Sequence, residues 1–288
     1  MAITEKTGLV LEGGGMRGLY TAGVLDVLME NGISFDGVIG VSAGAIHGCS
    51  YVSGQIGRSI RYNTKYYKDK RMMSFHNFLR TGDLVDEKFC YHELPEVLDP
   101  YDNEAFKKSA SKFYVTCTNL KTGKPEYILM KDMLDDIDYL RASASMPYVS
   151  RIVEKDGKKL LDGGCSDSIP VRKFMDMGYK RNVVVLTRPL GYRKKPEKKG
   201  LARLFYRRYP NFIRTLESRP TTYNQTLDEI ARLEKDGTIF VIRPSKPLEI
   251  GRMSHDLNEI NGTYEFGRND ALKCLEALRA WKGPQVQA

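Results

Sequence analysis

Long apolar runs are absent from this 288-residue chain. No stretch approaches the roughly 18–20 residues that a membrane-spanning helix needs. The first residues, MAITEKTG, also lack the basic and then apolar layout of a secretory signal peptide. The sequence therefore predicts a cytoplasmic protein, with at most peripheral contact at the inner membrane surface.

Cysteine and histidine are both scarce. The five cysteines lie far apart and form no CxxC motif or Cys/His pair of the kind that ligates zinc. An odd number of scattered thiols is typical of reduced packing residues and not of a disulfide framework. The sequence therefore predicts no disulfide and no metal site, and no motif in it calls for a cofactor.

Acidic residues are depleted in one segment only. The formal net charge is +9 at pH 7, and residues 188–219 hold eleven Lys or Arg against two Glu, so the remaining chain is balanced. Within this segment, residues 193–214 interleave cations with Leu, Phe, Tyr and Ile. The pattern predicts peripheral contact with an anionic membrane or, alternatively, a solvated helical flap over the site. Nucleic acid is not an expected partner.

Short apolar runs alternate with helical patterns along the chain. The run TGLVLE is followed by apolar residues at helical spacing, and DGVIGV is followed by a helix start built from small residues. Further strand candidates are KFYVTCTNL, PEYILM, KLLDGG, NVVVLTR and TIFVIRP. This alternation predicts an α/β fold whose parallel or mixed sheet is covered by helices on both faces. Residues 58–110 are expected to add helices and loops over the sheet.

A glycine-rich turn ends the first predicted strand. It consists of Gly13, Gly14, Gly15, Met16, Arg17 and Gly18. Alone, its glycine spacing fits a dinucleotide-binding loop, because glycines let a backbone approach pyrophosphate at a helix N-terminus. In a dinucleotide-binding fold the second strand ends in an acidic residue that binds the ribose hydroxyls, but here it ends in a serine. No Walker-type Lys-Ser/Thr follows the glycines either. Nucleotide binding is therefore a minor alternative.

The second predicted strand runs into a G-x-S-x-G pentapeptide. Its members are Gly40, Val41, Ser42, Ala43 and Gly44. Between a strand and a helix this pattern is a nucleophile elbow, whose glycines permit a turn tight enough to expose the serine hydroxyl. The pattern therefore predicts a nucleophilic serine at the edge of the sheet.

The two glycine-built turns are expected to face one crevice, because parallel strands end at the same edge of a sheet. The N–H groups of Gly13, Gly14 and Gly15 would then lie near Ser42, where they can stabilise the oxyanion of an acyl-transfer intermediate. Arg17 is expected either to orient that loop or to bind an anionic group of the substrate.

The serine needs a proton acceptor, and a histidine is one source. His47 follows Ser42 by five residues and is expected to point away from its hydroxyl, while His76 and His92 lie in the irregular insertion. His255, in GRMSHDLNE, leaves open a Ser–His–Asp hydrolase.

An aspartate is the other source of a base. Asp162 follows an apolar strand directly and precedes Gly163 and Gly164, so its carboxylate is expected at the sheet edge above a tight turn. A free aspartate is a weak base, with a pKa of about 3.9. The site must therefore desolvate the carboxylate or share its proton with the serine.

Together and in this order, GGGMRG, GVSAG and DGG resemble the motifs of the patatin-like phospholipase family, and the resemblance covers roughly residues 7–190. The segment ASASMPYVSRI also looks like the one preceding the family's catalytic aspartate. The resemblance implies a three-layer α/β/α fold with a mostly parallel sheet. It also implies a serine lipid acyl hydrolase acting on phospholipids or other acyl esters, with Ser42 as nucleophile, Asp162 as base and residues 13–18 as oxyanion hole.

One departure from the family pattern follows the DGG motif. This chain reads CSDS where many relatives have an Asn-containing stretch, which leaves Asp167 as a second candidate base. A catalytically silent lipid-binding or regulatory protein that retains the fold is the alternative function.

Two regions are expected along the chain. Residues 1–190 would form the patatin-like catalytic domain, and residues 191–288 a basic, mainly helical C-terminal extension that completes or caps the core. The stretch DALKCLEALRAW near its end predicts an amphipathic helix.

Overall fold

The computed structural model describes residues 5–196, 200–251 and 253–283. The strands in this part of the chain are β1 (Lys6–Leu11), β2 (Gly37–Val41), β3 (Lys112–Asn119), β4 (Pro125–Met130), β5 (Val153–Lys155), β6 (Lys158–Asp162), β7 (Tyr179–Val185) and β8 (Ile239–Ile242). The α-helices are α1 (Gly18–Glu30), α2 (Ala43–Val52), α3 (Arg58–Lys65), α4 (Phe75–Thr81), α5 (Asn103–Lys108), α6 (Ile137–Ala144), α7 (Val171–Asp176), α8 (Leu201–Phe205), α9 (Pro210–Lys235) and α10 (Leu257–Lys282). Short 3-10 helices cover Gly15–Arg17 and Gly163–Cys165, and a π-helix covers Phe89–Leu98.

The strands form one mixed sheet in the order β5-β6-β3-β2-β1-β7-β8, with β4 paired to β3 off this path. Strands β3, β2, β1, β7 and β8 pair in parallel. Strands β4 and β6 both run antiparallel to β3, and β5 runs antiparallel to β6. Strand β6 ends at Asp162, which pairs with Cys117 near the carboxyl end of β3.

Helices cover both faces of the sheet, because alternate residues of a strand point to opposite sides. Leu9 and Leu11 of β1 pack into a core that includes residues of α1, α2 and α10. Val10, between them, packs into a second core with residues of α7 and α9. The predicted three-layer α/β/α fold with a mostly parallel sheet and a helical C-terminal region is therefore confirmed.

Helices α1 and α10 pack closely through two glycines. A Cβ atom on Gly23 would lie 2.1 Å from the carbonyl oxygen of Tyr264, and one on Gly267 would lie 2.0 Å from that of Tyr20. The Tyr264 hydroxyl also donates a hydrogen bond to Asp26 across this contact (2.6 Å). Strand β8 pairs with β7. The last hundred residues therefore contribute both a strand, β8, and a helix, α10, to the central core.

Some elements differ from the sequence-based expectation. Helix α10 begins at Leu257, well before the amphipathic stretch that predicted it. Strand β5 has only three residues, too few to show an apolar pattern, and its pairing with β6 forms it. Residues 197–199 of the basic segment lie outside the described residues. Among the described helices, none combines the length and apolar character that crossing a bilayer requires.

Candidate active site

Ser42 sits in a strained turn between β2 and α2. Its φ of 54° and ψ of −124° are unusual for a residue with a side chain. The turn is tight enough that a Cβ atom on Gly40 would lie 2.5 Å from Ala45 Cα, and one on Gly44 would lie 2.5 Å from the Leu11 carbonyl oxygen. Only glycine fits at these two positions, so the flanking residues of the pentapeptide allow the strained serine conformation.

A second serine, from α6, holds this turn in place. The Ser42 backbone N–H donates to Ser143 Oγ at 2.9 Å. Ser143 Oγ in turn donates to the carbonyl of Thr116 in β3, at 2.7 Å. All three residues are buried. The chain of hydrogen bonds fixes the elbow to the sheet, and no sequence motif marks Ser143 for this position.

Asp162 ends β6 and lies against the serine. The Ser42 side chain lies close enough to the Asp162 carboxyl group to lower its pKa, and both side chains line the same cavity. Asp162 Oδ1 accepts a hydrogen bond from the Gly164 N–H at 2.7 Å. Its own N–H donates to the Ser145 carbonyl at 2.8 Å, which fixes the strand end beside α6. The structure therefore brings together the serine and aspartate that the sequence motifs single out.

Two opposing effects act on the pKa of Asp162. Its side chain is nearly inaccessible to solvent, since the residue is 6% exposed, and this burial raises the pKa above the ordinary value of 3.8. The charge of Arg219 and the nearby Ser42 side chain lower the pKa but do not cancel the effect of desolvation. The carboxylate is therefore a stronger base than an aspartate in water.

The glycine turn packs directly against the serine. A Cβ atom on Gly13 would lie 3.0 Å from both Ser42 Cβ and the Val41 carbonyl oxygen. No backbone carbonyl in the described ranges accepts a hydrogen bond from the N–H of Gly13 or Gly14. Gly15 has a φ of +58°, in the left-handed region. The turn therefore lies directly against the Ser42 side chain.

Glu12, just before the glycine turn, is a buried anchor that the sequence analysis missed. Its Oε2 accepts hydrogen bonds from the Thr187 N–H (2.6 Å) and Thr187 Oγ1 (3.1 Å), and its Oε1 accepts one from the Tyr223 hydroxyl (2.6 Å). Thr187 follows β7, and Tyr223 lies on α9. The glycine turn is thereby tied to a neighbouring strand and to a C-terminal helix.

Arg219, also on α9, is a second group that the motifs did not reveal. Its Nε donates to the Gly164 carbonyl at 2.5 Å, within the turn that follows Asp162. Its charge lowers the pKa of Asp162, and the charge of Lys194 does so more weakly. The C-terminal region therefore contributes a cation to the immediate surroundings of the serine and aspartate.

The other candidate bases have different partners. His47 Nδ1 pairs with Ser59 Oγ (3.0 Å), and burial, aided by a nearby arginine, lowers its pKa to about 4. His255 donates from Nδ1 to the carbonyl of Tyr67 (2.9 Å), where a Ser–His–Asp triad would have a carboxylate.

The three remaining candidate bases do not contact Ser42 in any hydrogen bond of the described residues. His92 pairs with Glu96 at 3.1 Å on an exposed helix surface. His76 is also exposed. Asp167, the second candidate aspartate, accepts a hydrogen bond from the Tyr127 hydroxyl at 2.7 Å.

Two cavities meet at Ser42. The first, of about 180 Å³, runs between α2, α6 and the region 58–98 and is mostly apolar. Apolar residues of its wall include Ile46, Leu84, Leu94, Ile137, Leu140 and Met146. The second, of about 340 Å³, is more polar and contains the glycine turn and Asp162. A substrate with an apolar and a polar part can therefore place the bond between them at the serine.

Comparison with known proteins gives two matching family models. One, described as patatin-like phospholipase, matches residues 9–175, and the other, described as a domain of unknown function (DUF6363), matches residues 209–283. Among curated proteins, the chain is similar to the uncharacterized protein YjjU of Escherichia coli, with 28% identity over 269 residues, or 91% of this chain and 75% of that protein.

A fungal relative and a solved structure are more distant. The lysophospholipase nte1 of Aspergillus terreus is 30% identical over 183 residues, which are 60% of this chain and 11% of that protein. The crystal structure of VipD from Legionella pneumophila superimposes with a TM-score of 0.47 at 13% identity, covering 95% of this chain and 67% of that one. The patatin-like phospholipase model spans more than half of the chain, so the protein belongs to the patatin-like phospholipase family.

Proposed function

We propose that this protein is a serine lipid acyl hydrolase, of the phospholipase A or carboxylic ester hydrolase type, that uses a Ser42–Asp162 dyad. The observation that carries the proposal is the position of the Ser42 side chain beside the buried Asp162 carboxyl group, at the place where an apolar and a polar cavity meet. A serine in a strained elbow beside a desolvated base is the arrangement that activates a hydroxyl nucleophile.

The reaction proceeds in two halves. Ser42 Oγ attacks the ester carbonyl while its proton passes to Asp162, and the N–H groups of the glycine turn stabilise the oxyanion that forms. The intermediate then expels the alcohol, which takes the proton from Asp162. Water attacks the acyl-enzyme with Asp162 as acceptor of its proton, and collapse of this second intermediate releases the fatty acid and restores the Ser42 hydroxyl.

The apolar cavity is the proposed site of the acyl chain. Ile46 follows Ser42 by one helical turn on α2 and lines the cavity next to the nucleophile. Another part of the wall comes from residues 58–98, within the range 58–110 that the sequence predicted to lie over the sheet. An acyl chain bound there places the ester carbonyl at Ser42 and the alcohol part of the substrate in the polar cavity.

A lysophospholipid is the substrate with which to test the proposal, because relatives carry the name lysophospholipase. Release of fatty acid from 1-palmitoyl-lysophosphatidylcholine is measured for the wild type and for Ser42→Ala. We expect hydrolysis by the wild type and none above background by the variant. Equal release by the folded variant would show that Ser42 is not the nucleophile.

The role of Asp162 as base predicts a specific effect of Arg219 on the pH profile. A base works only when ionised, so activity falls as the pH drops through the pKa of Asp162. The charge of Arg219 lowers that pKa, so Arg219→Gln should move the acid limb of kcat/KM to higher pH.

This shift is measured with a neutral short-chain ester, whose own charge does not change with pH. Arg219→Lys, which keeps the charge, should move the limb less than Arg219→Gln does. An acid limb that stays in place in both variants would argue against Asp162 as the titrating base.

The catalytic unit, in this proposal, extends beyond residue 190. The division into a catalytic domain at 1–190 and an extension at 191–288 remains a proposal, and we assign the extension a part in the site. Two residues of the extension support this. Arg219 donates a hydrogen bond to the turn after Asp162, and Tyr223 donates one to the residue before the glycine turn. Strand β8 and helix α10 support it through their packing in the core.

Helix α8 is the proposed contact with an anionic membrane. Leu201, Leu204 and Phe205 are 49%, 73% and 56% exposed, and Arg207 and Arg208 follow them at the surface. Exposed apolar side chains beside cations are typical of helices that bind lipid head groups.

Part of the positive charge of this segment is already paired within the protein. Arg203 contacts Glu217, and Arg193 contacts Asp228. The membrane contact is therefore assigned to α8 and the two arginines after it, within the predicted range 193–214.

Vesicle binding tests this contact. Each cation near an anionic surface contributes about 1 kcal/mol, so Arg207→Gln/Arg208→Gln should weaken binding to phosphatidylglycerol vesicles by roughly 30-fold. Cosedimentation gives the bound fraction. The matched control is Arg232→Gln/Lys235→Gln, at the far end of α9, which should bind as the wild type does. Equal binding by both double variants would remove α8 from the membrane contact.

A further inference from the structure

The polar cavity beside Ser42 carries an excess of positive charge. Four cationic side chains line it, against two carboxylates. The cations are Arg17, Arg188, Lys194 and Arg219, and the carboxylates are Glu12 and Asp162. A half-enclosed crevice with walls of one dominant charge concentrates the opposite charge. The cavity therefore favours an anionic ligand.

Both carboxylates are occupied by hydrogen bonds within the protein. Glu12 accepts hydrogen bonds from Thr187 and Tyr223. Asp162 accepts one from Gly164. Their negative charge is thus partly engaged by donors of the protein, and the four cations leave the cavity with a net positive charge.

Aromatic rings position two of the cations. The Arg188 guanidinium lies over the ring of Tyr192 at 4.4 Å, and Lys194 Nζ lies over the ring of Tyr223 at 4.7 Å. The two rings meet edge to face, with centroids 6.1 Å apart. Contact with a ring face restrains a cation without neutralising its charge.

The backbone at Lys194 is also fixed to α9. Its N–H donates to Asn224 Oδ1 at 2.9 Å, and Asn224 Nδ2 donates back to the Lys194 carbonyl at 3.0 Å. This pair of hydrogen bonds holds the segment that follows β7 against the helix. The cations are thus held in place before any ligand arrives, which lowers the cost of binding.

We infer that this cavity, with Arg188 and Lys194 as its ligand-binding cations, binds a phosphate on the alcohol part of the substrate. Arg188 and Lys194 would thereby favour glycerol esters that carry a phosphate group over those that do not. The inference rests on the proposed function, because the acyl chain is placed in the apolar cavity and the scissile ester at Ser42. Guanidinium and ammonium groups are the protein's usual ligands for phosphate oxygens.

The position of the cations along the chain gives the inference a further consequence. Arg188, Lys194 and Arg219 all lie beyond residues 9–175, the part matched by the patatin-like phospholipase model. The recognition of the phosphate is therefore assigned to residues that follow the match, whereas the glycine turn, Ser42 and Asp162 lie within it.

Two soluble esters test this inference without the complication of a membrane. They are 1-hexanoylglycerol 3-phosphate and 1-hexanoylglycerol, which differ only in the phosphate. We expect wild-type kcat/KM to be at least about tenfold higher for the phosphate ester, mainly through a lower KM. The ratio of the two kcat/KM values should fall by roughly tenfold or more in Arg188→Gln/Lys194→Gln.

Two variants control for nonspecific effects. Arg232→Gln removes an exposed arginine of the same region, which pairs with Asp236, and should keep the wild-type ratio. Arg188→Lys retains the charge and should lose less of the ratio than Arg188→Gln does. A thermal melt of each variant shows whether it is folded.

Calorimetric binding of glycerol 3-phosphate provides a readout that needs no turnover. Binding to the wild type that is weakened in Arg188→Gln/Lys194→Gln supports the pocket, even if neither ester is cleaved and the proposed hydrolase function fails. Cleavage of both esters at equal kcat/KM, with an unchanged ratio in the double variant, overturns the inference and leaves the hydrolase function standing.

Inorganic phosphate separates the two sources of the anion. Suppose that inorganic phosphate binds and alters cleavage of the neutral ester, while kcat/KM is no higher for the phosphate ester than for the neutral one. The cavity then binds a free anion. That result would overturn the assignment of the phosphate to the substrate.

Discussion

Asp162→Asn is expected to lower kcat by about 10²–10⁴-fold, the contribution of a general base, because an amide cannot take the proton of Ser42. The amide has the same size as the carboxyl group and its oxygen can still accept the hydrogen bond from Gly164. Its effect on folding should therefore be small compared with its effect on turnover. The rates of ester hydrolysis by the wild type and the variant at saturating substrate measure the change in kcat.

Asp167→Asn is the matched control, since Asp167 is a half-buried aspartate five residues further along the chain that bonds to Tyr127. It should keep the wild-type kcat within a few-fold. The combination Ser42→Ala/Asp162→Asn should be no slower than Ser42→Ala alone, because groups that act as one unit are not additive. A large loss in Asp167→Asn together with an active Asp162→Asn would reverse the assignment of the base.

Gly13→Ala is expected to reduce kcat by on the order of 10²–10³-fold, the loss that follows removal of one oxyanion donor. The added methyl group would lie 3.0 Å from Ser42 Cβ and from the Val41 carbonyl oxygen, closer than ordinary contact allows. The turn must shift to relieve this contact, and the shift displaces its N–H groups from the oxyanion. Steady-state kinetics with a short-chain ester should show the loss mainly in kcat.

Gly262→Ala, on α10, supplies the control for a glycine substitution. A Cβ atom there meets no other atom within 4 Å, and its helical position favours alanine by about 1 kcal/mol. This variant should be fully active and slightly more stable to heat. Wild-type kcat in Gly13→Ala would place the oxyanion donors elsewhere than in the glycine turn.

The elements around Ser42 were predictable because their signals are local. A strand, a glycine-flanked serine and a helix follow one another within a dozen residues, and the steric demands of the turn leave few other residues possible at Gly40 and Gly44. The same holds for the short strand before Asp162. The roles of these residues in catalysis remain predictions, which the variants above test.

The groups that complete the site were not predictable, because they depend on contacts between distant parts of the chain. Arg219 reaches the Gly164 carbonyl across 55 residues, and Tyr223 reaches Glu12 across 211. No spacing rule links such positions. The one local signal was a charged residue, Glu12, at the end of an apolar strand, where burial requires hydrogen-bond partners.

Helix α9 shows how tertiary contacts override a local signal. Pro220 lies inside it, although a proline lacks the N–H that a helix interior uses and normally ends or kinks the helix. Leu216 and Tyr223, one turn on either side, are buried against the sheet and the segment around α8. Their packing supports a continuous helix from Pro210 to Lys235.

Labelling with a fluorophosphonate probe, followed by mapping of the modified peptide by mass spectrometry, tests the central claim most directly. Such a probe bonds covalently to an activated serine, so the account predicts a single modified peptide that contains Ser42. Labelling should be absent in Ser42→Ala and strongly slowed in Asp162→Asn. Labelling of another residue, or none in folded wild type that still cleaves an ester, would contradict the assignment of Ser42 as the nucleophile.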